Sequence, residues 1–130
     1  MSENAPALQQ TILVVDDDAL LCRALERVLQ TKGYQVLAAT DGTLAIELSR
    51  SCMEPIDLVL VDLMMPIQHG FSLVDILLCE HPETKIVLTS GAIREHMLLE
   101  RDRERVHAFL AKPFTSSHLL QLIKGLLHAV

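Results

Sequence analysis

Asp57-Leu58-Val59-Leu60-Val61-Asp62-Leu63-Met64-Met65-Pro66 is the stretch from which the rest of the chain can be read. Its first half is apolar at consecutive rather than alternate positions, and an acidic residue follows at once. A strand with one wet face alternates, whereas a strand covered on both faces does not. The segment therefore predicts a buried strand over Asp57 to Val61, with Asp62 just past its carboxyl end. Four further runs of near strand length, rich in branched aliphatics, recur: Thr11 to Val15, Tyr34 to Ala39, Lys85 to Thr89 and Val106 to Leu110.

The intervals between these runs are long enough for helices. Strand and helix alternating five times over predict an α/β chain, with a parallel sheet and helices on both faces joined by right-handed crossovers. In the first helix Leu21, Ala24, Leu25, Val28 and Leu29 form the apolar stripe, and Gly33 stands where a left-handed C-terminal cap is wanted. In the last, Thr115 to Ser117 are capping candidates and Leu119, Leu122, Ile123 and Leu126 form the stripe, with Leu120 and Leu127 widening the core face. Pro66 keeps Met65 extended, and Gly70 permits the turn into the third helix.

The 130 residues suffice for one core and not two. Residues 1–10, polar and without period, read as a flexible N-terminal tail, and residues 11–130 as the domain. No output domain is expected within it. A net charge of −6 argues against direct nucleic-acid binding, which draws on clustered Lys and Arg. No apolar run reaches membrane-helix length and no signal peptide opens the chain, so no membrane association and a cytoplasmic location are expected. Cys22, Cys52 and Cys79 are odd in number and widely spaced, which suits neither disulfides nor zinc, and all are expected to be buried or half-buried. The histidines show no ligand spacing and receive no chemistry.

In an open parallel sheet, ligands bind at the carboxyl ends of the strands. The residues falling there are Asp16, Asp17 and Asp18 after the first run, Asp62 after the third, Thr89 and Ser90 after the fourth, and Lys112 before Pro113 after the fifth. Crowded carboxylates repel one another and are relieved by a raised pKa or a cation. An all-oxygen set suits Mg²⁺, which would cancel the charge of Asp16, Asp17 and Asp62 together with protonated Lys112. A carboxylate can accept a phosphoryl group as an acyl phosphate, the protein supplying position and neutralisation. Asp18 reads as the cap of the first helix.

Four segments, Ile12 to Asp18, Asp57 to Pro66, Val87-Leu88-Thr89-Ser90-Gly91 and Phe109-Leu110-Ala111-Lys112-Pro113-Phe114, resemble the signature stretches of response-regulator receiver domains in two-component phosphorelays. The resemblance implies a flavodoxin-like doubly wound five-stranded parallel sheet of order 2-1-3-4-5 with five helices. It implies Asp62 as phospho-acceptor, with Thr89 and Lys112 assisting. Asp16, Asp17, Asp62 and the Met64 main-chain carbonyl would hold Mg²⁺. Thr89 and Phe109 would act as switch residues, and the bond before Pro113 would be cis. The implied phosphoryl donor is a histidine kinase or histidine phosphotransfer protein. A downstream protein would bind the face around the fourth helix, fifth strand and fifth helix, with the domain monomeric or dimerising on phosphorylation. The activity is Mg-dependent self-phosphorylation and slow self-dephosphorylation rather than metabolic catalysis.

The sequence departs from the family pattern in places. Arg105-Val106 stands where Gly-Ala is common, and Arg94 to Arg105 carries eight Asp, Glu and Arg residues beside that binding face. Met64 and Gly91 stand where many members carry polar groups that orient a hydrolytic water, which implies a long-lived phosphoryl state. Two rival readings remain: a receiver-like adaptor acting by contact alone, and a haloacid-dehalogenase-type phosphohydrolase with Asp16 as nucleophile and Asp18 as acid. The latter usually requires a longer chain.

Overall fold

The computed structural model describes residues 9–62, 70–91 and 104–128. Strands β1 (Thr11–Val15), β2 (Gln35–Ala39), β3 (Leu58–Asp62), β4 (Lys85–Ser90) and β5 (Ala108–Ala111) form one sheet of order β2-β1-β3-β4-β5. Every neighbouring pair is parallel. Helices α1 (Ala19–Thr31), α2 (Gly42–Ser51), α3 (Gly70–Glu80) and α4 (Ser116–His128) cover it. The class and order are those expected. Four helices are described rather than five, because the expected fourth falls on residues 92–103, outside the described residues. Met65, Pro66 and most of the expected tail also lie outside them.

The unbroken apolar runs are explained by two cores, one on each face. Ile12 and Val14 of β1, Leu58 and Leu60 of β3, Val87 of β4 and Leu110 of β5 pack against α1 and α4 through Cys22, Leu25, Leu29, Leu119 and Ile123. Leu13, Val15, Val59, Val61, Ile86 and Leu88 point the other way, onto Ala45 of α2 and Leu73, Val74 and Leu77 of α3. Each fully buried aliphatic side chain contributes about 1.5–3 kcal/mol. The central strands therefore anchor whatever stands at their ends.

Helix α1 is bounded as its sequence dictates. The Asp18 carboxylate accepts from the Leu20 and Leu21 amides at 3.1 and 3.2 Å. At the other end Gly33 adopts φ +91°, its amide donates to the Gln30 carbonyl at 3.0 Å, and the Tyr34 amide donates to Leu29 at 3.3 Å. This left-handed turn satisfies two otherwise orphaned carbonyls. The buried face is rotated from the expected stripe. Cys22, Leu25 and Leu29 are buried, Leu21 and Val28 are half-buried, and Ala24 is exposed. The thiol of Cys22 decides the difference: it fits beneath the strand ends and donates to the Asp16 carbonyl at 3.2 Å. Burial, the foremost cause, pushes that thiol up to about 11, so it is not a nucleophile. Cys52 is half-buried, but Cys79 is exposed, contrary to expectation, because it lies two residues beyond the buried Leu77 and faces away from the core. In α4, Thr115 Oγ1 caps the His118 amide at 3.0 Å, Leu119 and Ile123 are fully buried, and Leu122, Leu126, Leu120 and Leu127 pack partly against the same core.

Strand β5 starts two residues later than expected. His107 lies just before it and uses its side chain: the Ile86 amide donates to His107 Nδ1 at 3.0 Å, while the His107 amide donates to the Ile86 carbonyl at 2.8 Å. Burial foremost, then the charge of Lys85, lowers the His107 pKa below its ordinary 6.5. The folded state thus resists the proton that the unfolded chain accepts. The stabilisation from this bond is complete above about 6.5 and is lost as pH falls through the lower folded value. Urea midpoints measured between pH 7.5 and 5 should fall more for the wild type than for His107→Ala. Equal declines would show that the bond does not couple to protonation.

Candidate functional site

The end of each central strand delivers one polar side chain. Asp62 and Thr89 pair across β3 and β4, and Thr89 pairs with Leu110 of β5. Val15 pairs with Val61, which puts Asp16 level with Asp62. Side chains on a strand alternate faces, so Asp62 continues the row of Leu58 and Leu60, and Thr89 the row of Val87. Asp16 and Lys112 stand two residues beyond Val14 and Leu110 in the same phase. All four therefore belong to the face covered by α1 and α4.

The consequence is a compact polar cluster at the rim of an apolar core. Carboxylate oxygens of Asp16, Asp17 and Asp62 lie within 4.8 Å of one another. Lys112 Nζ bridges two of them, donating to Asp16 Oδ2 at 2.6 Å and Asp62 Oδ2 at 3.1 Å. Asp16 and Asp62 are 3% and 7% exposed, whereas Asp17 faces solvent, so the cluster is walled below and open above. Asp16 is held at both oxygens, since its Oδ1 accepts the Asp18 amide at 2.9 Å. Lys112 is held by its own backbone: its amide donates to the Ser90 carbonyl at 3.1 Å, and the peptide bond to Pro113 is cis.

The electrostatics follow from this burial. Desolvation, the strongest influence on Asp16, raises its pKa despite the hydrogen bond from Lys112. For Lys112 burial acts to lower the pKa, but the hydrogen bonds to Asp16 and Asp62 together outweigh it and the net shift is upward. The ammonium is therefore kept charged. One cation among three carboxylates leaves an excess of two negative charges. An all-oxygen donor set with one member open to water fits a small, hard divalent cation.

Asp16, Asp17, Asp62 and Lys112 are thus brought together, and Thr89, 2% exposed, stands beside Asp62 on the neighbouring strand. Met64 lies outside the described residues. Phe109 is half-buried and packs on the core on the α2–α3 side, opposite Leu88 in register. Sequence reasoning counted Lys112 toward the charge of the three carboxylates and paired it with the phosphoryl group, but missed its shorter bond to Asp16. The charge count carried the signal that Lys112 serves the whole cluster, but not its geometry.

Comparison with known proteins identifies the family and agrees with the fold. Residues 12–124 match the family model described as the response regulator receiver domain. The chain is 35% identical over 118 residues to the transcriptional regulatory protein CpxR of Escherichia coli K12, covering 89% of this chain and 48% of that protein. It is 30% identical over 117 residues to the sensor kinase CckA of Brucella abortus, covering 90% of this chain and 12% of that protein. The chain therefore spans half or less of the length of these curated relatives. The fold is similar to that of the crystal structure of a CheY-like response regulator receiver domain protein from Methanospirillum hungatei JF-1, with TM-score 0.84, 24% identity and coverage of 93% and 95%.

Proposed function

Because this chain belongs to the response regulator receiver domain family of two-component systems, we propose that it takes a phosphoryl group onto Asp62 in a Mg²⁺-dependent reaction and thereby changes its affinity for a protein partner. The observation that carries the proposal is Lys112 bridging Asp16 and Asp62 within a cluster whose carboxylate oxygens lie within 4.8 Å. Asp16, Asp17, Asp62 and the Met64 carbonyl are the groups to hold the metal. When bound, Mg²⁺ supplies two positive charges facing the phosphoryl oxygens.

A carboxylate oxygen of Asp62 attacks phosphorus as the bond to the donor breaks. With a phosphohistidine of a kinase or phosphotransfer protein, the departing ring nitrogen keeps the electron pair and Asp62 becomes an acyl phosphate. Lys112 keeps its proton and turns from Asp62 to the phosphoryl oxygens. The Thr89 hydroxyl donates to one of them, which draws in the end of β4. Phe109 follows on the adjacent strand, so the surface around β5, α4 and the segment expected to form the remaining helix favours a different partner. Water later cleaves the acyl phosphate, slowly, because Met64 and Gly91 offer no polar side chain to orient it. Receiver domains are signalling domains, and this chemistry serves a switch.

The test is intact mass after incubation with acetyl phosphate. With Mg²⁺ present the 130-residue chain should gain one phosphoryl group, and with EDTA none. No adduct in Mg²⁺ with any phosphodonor would transfer the assignment to an adaptor acting by contact alone. An adduct that persists undiminished in EDTA would remove the metal from the proposal.

A further inference from the structure

A second concave site lies at the opposite edge of the sheet. Lys32 and Tyr34 follow α1 and precede β2, at the amino-terminal edge of the strands, whereas Asp62 ends β3 at the carboxyl edge. Between this turn and α4 runs a groove of about 600 Å³, lined by Lys32, Tyr34, Leu120, Gln121 and Lys124, with His128 at one end. Tyr34 is only 9% exposed, and its hydroxyl meets His128 Nε2 at 3.1 Å. The two rings stack with centroids 6.1 Å apart. An aromatic contact between residues far apart in the chain thus borders the groove.

The lining has a chemical sense. Leu120 is half-buried, and Tyr34 presents an apolar edge beside it, while Lys32, Lys124 and Gln121 are exposed at the rim. Among the described residues no carboxylate lines the groove, although the chain carries a net charge of −6. The volume falls within the roughly 300–1,000 Å³ common for organic ligands. Two lysines are too few to track a nucleic-acid backbone.

We propose that this groove binds a small amphipathic organic anion, its acidic group between Lys32 and Lys124 and its apolar body against Leu120 and Tyr34. The site is separate from the phosphoryl chemistry and does not depend on it.

The probe is 8-anilinonaphthalene-1-sulfonate, an aromatic sulfonate, titrated by fluorescence into the folded chain. One saturable site is expected. Lys32→Glu and Lys124→Glu should each weaken it about 5-fold or more, since each replaces an attractive surface charge by a repulsive one. Arg27→Glu, on the outer face of α1, and Asp62→Ala should leave it unchanged. Decanoate should displace the probe, and inorganic phosphate at equal concentration should not. Both lysines are exposed, so far-ultraviolet circular dichroism of the variants should match the wild type; Lys124→Gln provides a milder change should it not. Unsaturable binding, indifference to both charge reversals, or equal displacement by phosphate would overturn the proposal. So would a concentration-dependent dimer abolished by Lys124→Glu, which would assign the groove to a second copy of the chain.

Discussion

Asp62→Ala should take up no phosphoryl group from acetyl phosphate, while Asp16→Ala should still take up one, more slowly. Both residues are buried carboxylates at the carboxyl ends of adjacent strands, and both meet Lys112. Both oxygens of Asp16 are committed, Oδ1 to the Asp18 amide at 2.9 Å and Oδ2 to Lys112 at 2.6 Å. A carboxylate so held is a poor nucleophile and a good anchor for a cation. The same geometry weakens the phosphohydrolase reading in a second way. Asp18, which that reading requires as an acid, accepts the Leu20 and Leu21 amides on Oδ1 as the cap of α1. Losing Asp16 should slow uptake by about 10²-fold, at the lower end of the range for removing one electrostatic contributor to an active site. Intact mass over time separates the cases. An adduct retained in Asp62→Ala and absent in Asp16→Ala would reverse the assignment and favour the phosphohydrolase.

Lys112→Met should have three effects, the first two on stability and of opposite sign. Without metal, the variant removes the cation that bridges the buried carboxylates of Asp16 and Asp62. Removing one partner of a fully buried ion pair costs about 3–5 kcal/mol. Because exposed Asp17 brings water to this cluster, a loss of about 2 kcal/mol is expected. With Mg²⁺ the order of benefit reverses: the cluster is one unit more negative, so the ion should stabilise the variant more than the wild type. Phosphoryl uptake should nevertheless be slower by about 10²-fold, since the developing phosphoryl charge has lost a positioned donor. Urea unfolding with and without Mg²⁺ measures the first pair of effects and intact mass the third. A variant as stable as the wild type in EDTA, and no more responsive to Mg²⁺, would show that Lys112 does not balance the carboxylates.

Much of this could be read from order along the chain, because a strand writes its environment into consecutive residues. Leu58 to Val61 had to be buried on both faces, and an acidic residue directly after such a run had to stand at a sheet edge. The parallel α/β class, the polar residues at the strand ends, the Asp18 cap and the Gly33 turn are all consequences of local sequence. The strand order came from resemblance, since periodicity says which residues are buried and not which strands are neighbours.

Contacts between distant segments were beyond local reading. Lys112 is 96 residues from Asp16 and 50 from Asp62, and which carboxylate it meets more closely is fixed by the register of β3, β4 and β5 and by the turn at Pro113. Tyr34 and His128 are 94 residues apart, and nothing near either announces the other. Cys22 displaced Ala24 from the core because a thiol fits beneath two strand ends that only the folded sheet brings together. His107, just before β5, meets the edge of β4 through its ring, which accepts the Ile86 amide. Hydrophobic pattern is a property of neighbours in sequence and therefore determined the fold class and the location of the site. Hydrogen bonds and charge pairs are short-ranged in space and indifferent to sequence separation, so their partners were settled only when the strands came into register.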